Sequence, residues 1–398
     1  MVTRRVFLRG VGFLSAAPGW LARAAAGAGE RKKKILVVLF QRGAADGLNV
    51  VVPFGEKRYY ELRPAIAVAQ PGSGENAAID LDGFFGLHPS LGPLAELYRQ
   101  RHLAIVEGVG SPDPTRSHFD AQDFMESGTP GRKATRDGWL NRALEKGKAS
   151  PLRAVSMGAL LPRALRGANP AVAIDDLNNF RVRSAQAAPA FQTMYAGTGD
   201  TVLQGMGRDT FEAVRLLESV QKQTYTPEGG AGYPRGRFGE SLQQVARLIK
   251  SGVGVEVAFT DLGGWDHHVN EAPQLGNLLR NFGQGLAAFW RDLGDRMEDV
   301  CVVTMSEFGR AARENGNRGT DHGHANVMFV MGGGVKGGKI HGEWPGLERE
   351  QLYEGRDLAL TTDFRDVLGE LVERHLGNRN LEVVFPGYGA RRFRGLLG

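Results

Sequence analysis

Residues 34–40 read KILVVLF, one lysine followed by six apolar side chains without a break. Such a run suits a strand buried on both faces, as in a parallel sheet between two layers of helices. It stops at Gln41-Arg42-Gly43-Ala44-Ala45-Asp46-Gly47, a glycine-bearing loop. The pattern recurs downstream. Residues 103–106 form a second apolar strand, residues 253–259 (VGVEVAF) a third, residues 300–305 (VCVVTM) a fourth, and residues 326–331 (NVMFVM) another. Helical spacing lies between them, over residues 91–98 and where Leu275, Leu279, Phe282, Leu286, Phe289 and Leu293 recur. This alternation predicts an α/β fold, doubly wound, with a mostly parallel central sheet and helices on both faces.

Composition narrows the classes further. The 398 residues are 42% apolar and 23% charged, which excludes a disordered tail and a membrane bundle. Cys301 is the single cysteine, so neither an intramolecular disulfide nor a cysteine-built zinc site is available. The first strand is not followed by Gly-x-Gly-x-x-Gly, which argues against a nucleotide-dependent oxidoreductase.

The first 26 residues read as a twin-arginine signal peptide. Arg4-Arg5 precede a short apolar stretch at 11–21 and small-x-small cleavage sites at Ala22-Arg23-Ala24 and Ala24-Ala25-Ala26. That stretch is shorter than the roughly 20 apolar residues a bilayer requires, so no stable transmembrane anchor is expected. The expected partner is the twin-arginine translocase, which carries folded proteins, and the expected location is periplasmic or secreted. Loss of Arg4, Arg5, Arg9 and Arg23 with the leader lowers the formal charge from +5 to +1. The basic run at 31–34 then reads as a solvated tether, and no nucleic-acid partner is expected. Residues 34–398 are expected to form one domain. Residues 150–235, largely aperiodic with a helix from Asp209 through Gln223, are expected to form an inserted cap.

Acidic and imidazole side chains collect in the loops beside these strands. Asp46 follows the first, Thr115-Arg116-Ser117-His118 the second, and Asp266-His267-His268 the third. Glu307 follows the fourth, and Asp321-His322-Gly323-His324 precedes the next. In an open α/β sheet, ligands bind outside the carboxyl ends of the strands. Carboxylates and imidazoles gathered there call for a divalent cation. A mixed set suits zinc, manganese or ferrous iron, whereas magnesium and calcium prefer oxygen alone. Each residue also has a purely structural reading: Asp46 in an Asp-Gly turn, Ser117 as a helix cap, Asp266 with His268 as a hydrogen-bonded pair, Glu307 with Arg310 as an ion pair.

The ordered motifs Arg42-Gly43-Ala44-Ala45-Asp46-Gly47-Leu48-Asn49, Arg116-Ser117-His118-Phe119-Asp120-Ala121-Gln122, Gly263-Gly264-Trp265-Asp266-His267-His268, Ser306-Glu307-Phe308-Gly309-Arg310 and Gly319-Thr320-Asp321-His322-Gly323 resemble the exported bacterial family called uncharacterised domain family 1501. That family in turn resembles the alkaline phosphatase and sulfatase superfamily, whose members hydrolyse phosphate or sulfate esters with one or two metal ions. The resemblance implies a metal ligand at Asp46 and a hydroxyl nucleophile at Ser117, with Thr115 as second choice. It also implies ligands at Asp266 and His268, spaced more tightly than in the phosphatases. Glu307-Phe308 stands where those enzymes carry Asp-His, so Asp321, His322 or His324 would supply the missing ligand. The formylglycine motif of sulfatases is absent: Pro112 occupies the nucleophile's place in Pro112-Asp113-Pro114-Thr115-Arg116.

The resulting expectation is an exported, metal-dependent hydrolase of a phosphate or sulfate ester, with zinc, manganese, magnesium or calcium as cofactor. Ser117 or a metal-activated water would attack, and His118 or His324 would protonate the leaving group. Arg42, Arg116 and Arg310 would clamp the anionic ester. The alternative is a non-catalytic exported scaffold or carbohydrate-binding protein that keeps the fold.

Overall fold

Side chains alternate across a strand, so the apolar run at 34–40 must serve two cores. Leu36, Val38 and Phe40 enter one and Val37 and Leu39 the other, all fully buried. The computed structural model that shows this describes residues 33–145, 150–178, 201–389 and 392–398, with backbone alone for 201–207. The chain divides into two units, Met1–Lys33 and Lys34–Gly398. The expected signal peptide, residues 1–26, lies outside the described residues.

The strands are β1 (Ile35–Arg42), the short β2 (Val51–Val52), β3 (Ile79–Asp80) and β4 (Gly86–Leu87), then β5 (Leu103–Gly110) and β6 (Ala154–Met157). After these come β7 (Val172–Ile174), β8 (Val257–Gly263), β9 (Val300–Ser306), β10 (Asn326–Gly332), β11 (Ile340–His341) and β12 (Thr362–Asp363). The main sheet runs β11-β5-β10-β9-β1-β8-β6-β7, with β12 also paired to β5, while β2-β4-β3 form a small separate sheet. Every pairing in the main sheet is parallel except those of β10, which is antiparallel to both β5 and β9. The expected α/β sheet is therefore present, mixed but mostly parallel.

The reversal of β10 follows from its connection. A parallel neighbour needs a crossover, usually through a helix. Residues 307–325 contain no helix and fold back on themselves through a bridge between Arg310 and His322. The chain thus re-enters the sheet from the rim it has just left.

Five helices of eight or more residues are described: α1 (Gly92–Arg99), α2 (His118–Ser127), α3 (Thr201–Lys222), α4 (Arg237–Lys250) and α5 (Glu271–Leu293). Leu94, Leu217, Leu242 and Phe282 of α1, α3, α4 and α5 pack with Val37 and Leu39 on one face. Met125 of α2 joins Trp139, Phe364 and Val384 of short helices around Leu36 and Val38 on the other. None of the described helices is long and apolar enough to cross a membrane.

Two expectations need correction. The stretch 150–235 is not only a cap, because β6 and β7 within it extend the sheet edge beside β8. The sequence expects a short strand at residues 171–174, where β7 lies, whereas the four residues of β6 are too few for an apolar pattern to stand out. The helix expected from Asp209 begins at Thr201, so Asp209 lies inside it rather than at its cap. Residues 179–200 of the same stretch lie outside the described residues.

Candidate metal centre

The strands β1, β5, β8 and β9 end on one rim, and β10 begins there. Four loops therefore meet over the middle of the sheet. The loop after β5 leads into α2, whose first helical residue is His118 and whose N-cap is Ser117. The loop after β8 carries Asp266 and His268, and the β9–β10 return carries Glu307, Arg310 and His322.

Three imidazoles and one carboxylate converge there. His322 Nε2 lies 3.0 Å from His118 Nε2 and 3.1 Å from His268 Nε2. Asp266 Oδ1 is 2.9 Å from His268 Nε2 and 3.2 Å from His322 Nε2, and its Oδ2 is 3.5 Å from His118 Nε2. Donor atoms of His118, Asp266 and His322 all fall within 4.8 Å of one another. Neutral imidazoles that close set lone pair against lone pair, and a shared cation resolves the conflict. The outer nitrogens are engaged separately. His118 Nδ1 is 2.8 Å from Glu307 Oε1, His322 Nδ1 is 2.9 Å from the Arg116 carbonyl, and His268 Nδ1 is 3.4 Å from Asp321 Oδ1. A carboxylate or carbonyl behind each ring is how proteins orient histidine ligands and fix their tautomers. His118, Asp266 and His322 thus offer two nitrogens and one oxygen to a single ion, a set that fits zinc or a similar divalent ion, and His268 stands beside them against His322 and Asp266.

The surroundings hold this arrangement rigidly. Glu307 is fully buried, and its Oε1 accepts from Gly43 N (2.8 Å) and Gln122 Nε2 (2.9 Å) as well as facing His118. Burial pushes its carboxyl upward, but the hydrogen bonds from His118 and Gln122 win, leaving it below the usual carboxylate range. The same contact raises His118, whereas burial lowers His322. Arg310 is buried and donates to Asp266 Oδ1 at 2.6 Å and to Thr320 Oγ1 at 3.1 Å. Burial would raise the Asp266 carboxyl, and Arg310 overrides it. Gly43 has φ +117°, and a Cβ there would stand 2.8 Å from the Asp266 amide nitrogen. Only glycine lets the β1 loop approach the β8 loop so closely.

A family model described as "Protein of unknown function (DUF1501)" matches residues 74–383. The chain belongs to this family. No curated protein sequence matches it. Similar solved structures include the PsFucS1 sulfatase from Pseudoalteromonas sp., at 11% identity and TM-score 0.42, covering 94% of this chain and 75% of that one. The C-terminal periplasmic domain of EcEptC from Escherichia coli, solved in complex with Zn, is similar at 9% identity and TM-score 0.35, over 76% and 73% of the two chains. The PH0037 protein from Pyrococcus horikoshii is similar at 12% identity and TM-score 0.36, over 91% and 100%.

Within the DUF1501 chain, the residues expected from sequence divide into two groups. Asp266, His268 and His322 meet at the centre, with Glu307 and Asp321 behind its rings. Others are engaged elsewhere. Asp46, expected as a ligand, is fully buried and gives both oxygens to Arg63, at 2.5 and 3.0 Å. Burial would raise its carboxyl, yet Arg63 holds it below the usual range. His324 stacks on Tyr353 with ring centroids 4.2 Å apart. Arg116, half-buried, is tied to Asp357 (2.5 Å) and Glu354 (2.8 Å), while Arg310 is fully buried and spends all three guanidinium nitrogens on Asp266 and Thr320, so Arg310 is not available to an external anion. Arg42, half-buried, pairs with Asp261 at 2.7 Å and Glu126 at 3.0 Å. Ser117 is exposed and its side chain makes no cap hydrogen bond, while Thr115 Oγ1 accepts from the Ser117 amide at 3.2 Å.

The sequence marks His118 as a proton donor rather than a ligand, places Gln122 in a motif without giving it a role, and gives no sign of Arg63. His118 carried a usable signal, since it opens a helix directly after a strand-end loop. Arg63 sits in no motif and Gln122 closes the one that begins at Arg116, and only the tertiary fold brings them to Asp46 and Glu307.

Proposed function

We propose that this chain is an exported, metal-dependent hydrolase of phosphate or sulfate esters. The observation that carries the reading is the convergence of the His118, His268 and His322 Nε2 atoms beside Asp266, with each ring braced from behind. His118, Asp266 and His322, with His268 alongside, would hold one divalent ion, zinc or manganese by the chemistry of the set. When bound, such an ion polarises an ester oxygen and makes a hydroxyl or water acidic at neutral pH.

The chain's own residues supply the rest. Glu307 keeps His118 in one orientation, and Arg310 fixes Asp266 while offsetting its charge. Ser117, exposed at the N-cap of α2, presents a hydroxyl beside His118 as the nucleophile. The first-turn amides of α2 add donors for an anion. Asp46 has no direct part in this scheme. It anchors the β1 loop through Arg63. The leader at residues 1–26 delivers the folded protein to the periplasm or medium.

Elemental analysis with a turnover screen tests the reading. Purified protein should carry about one equivalent of zinc or manganese, and it should hydrolyse 4-nitrophenyl phosphate or 4-nitrophenyl sulfate. Ser117→Ala should keep the metal and lose turnover, whereas His322→Ala should lose both. Metal binding without turnover of any ester would favour the non-catalytic binding protein. Absence of metal after growth in metal-replete medium would overturn the reading.

A further inference from the structure

A cavity of about 530 Å3 lies over the ends of β6 and β8, between α2 and the loop at residues 158–166. That volume falls in the range of small-molecule sites, about 300–1,000 Å3. Gln122 joins it to the metal centre: it lines the cavity, donates to Glu307 Oε1 at 2.9 Å, and accepts from Arg42 Nη1 at 2.9 Å. The cavity and the metal centre thus share a wall.

Two features of the lining point to a ligand. The first is apolar. Phe119 on α2 is 90% exposed and Leu160 on the facing loop 82% exposed, the two highest values among the large apolar side chains described. Isolated exposed apolar residues are ordinary, but two on the lips of one cavity mark a contact surface. Neither contributes to the core, so folding does not account for them. The second is electrostatic. Four arginines line the cavity, and three are paired: Arg42 with Asp261 and Glu126, Arg163 with Asp123, and Arg237 with Asp175. Arg166 makes a single contact, Nε to the Leu161 carbonyl at 3.2 Å, and its two terminal nitrogens have no partner among the described residues. An arginine fork left open beside exposed apolar surface suits a carboxylate, sulfonate or phosphate attached to a ring.

We infer that this cavity binds the non-reacting part of the substrate, a flat apolar ring against Phe119 and Leu160 that carries a second anionic group on Arg166. The assignment of that molecule as an ester substrate rests on the proposed hydrolase, but the binding site itself does not. The preferred substrate class is therefore a ring-bearing ester with two negative centres, one at the metal and one at Arg166.

Calorimetric titration of the full, metal-loaded chain with 2-naphthalenesulfonate, 2-naphthol and methanesulfonate tests the inference. The sulfonated ring should bind at least about tenfold tighter than either fragment. Phe119→Ser and Leu160→Ser should each weaken both naphthyl probes by about five- to tenfold, the scale of one aromatic contact. Arg166→Gln should weaken only the sulfonate, bringing it level with naphthol. All three side chains are exposed, so melting curves should match the wild type. Equal affinity of the variants and the wild type, or no naphthyl binding at millimolar probe, overturns the inference. Titration of His322→Ala separates it from the hydrolase reading. Ring binding retained without metal supports the cavity whatever the activity. Ester turnover whose ratio of naphthyl to methyl KM is unmoved by Phe119→Ser or Arg166→Gln sinks the cavity and leaves the hydrolase standing.

Discussion

Asp46 and Asp266 are both aspartates in strand-end loops, yet they meet different company. Asp266 faces three imidazoles. Asp46 faces a buried guanidinium that also donates to the Ala311 and Ala312 carbonyls at 2.9 Å each. A buried pair that loses one partner leaves an uncompensated charge, which costs about 3–5 kcal/mol. Arg63→Met should destabilise the fold by about that amount in urea titration at pH 7. The sign with pH follows from the direction of the Asp46 shift. Its carboxyl is lowered in the folded chain, so the stabilisation is present above the unfolded value of about 4 and disappears as pH falls through the lower folded one. The gap between wild type and Arg63→Met should therefore be widest near neutrality and narrow below about pH 4. A gap independent of pH would mean that the pair contributes packing rather than charge. Glu307 makes a second prediction at this scale. Glu307→Gln keeps the shape but weakens the brace on His118, so metal affinity should fall about 10- to 100-fold in chelator competition, without abolition of binding.

The β9–β10 return is the element on which the site depends. It delivers Glu307 and Arg310 from one end and His322 from the other, and its backbone is packed against the start of β10. A Cβ on Gly309 would lie 1.8 Å from the Ala325 carbonyl oxygen. Gly309→Ala must push the two limbs apart. We expect a loss of about 1–3 kcal/mol in thermal melts, the usual scale of overpacking, together with reduced bound metal because His322 moves with the loop. The long strands of the sheet are legible in sequence because burial on both faces demands unbroken apolar runs. The direction of β10 is not, since NVMFVM reads alike in either sense and only the helix-free link decides. The site is half legible for a related reason. Asp266, His268 and His322 declare themselves through chemistry beside a strand, but the same chemistry at Asp46 and His324 is consumed by Arg63 and Tyr353. Those partners come from positions that no local pattern connects to them.

At the scale of the whole molecule, an ion that binds only the folded chain adds to its stability. With free ion at about a thousandfold over Kd the gain is about 4 kcal/mol. Removing it with a chelator should lower the melting temperature by several degrees, and His322→Ala, which lacks the site, should be indifferent to the chelator. The proposed leader predicts a separate outcome: replacing Arg4 and Arg5 with lysine should leave full-length precursor in the cytoplasm, seen by fractionation.

The distance along the chain between His118 and His322, 204 positions, also has a meaning in time. Ribosomes add about 5–20 residues per second, so roughly 10–40 s pass between synthesis of the first imidazole and synthesis of the last. During that interval a nascent chain offers an ion His118 and, later, the Asp266–His268 pair, never the full set. An ion bound at this site would therefore not template folding during synthesis as it does in a zinc finger, because the sheet must close before the site exists. If the finished fold then leaves through the twin-arginine route, the metal it carries is chosen by the ion pool inside the cell, whatever ions await it outside.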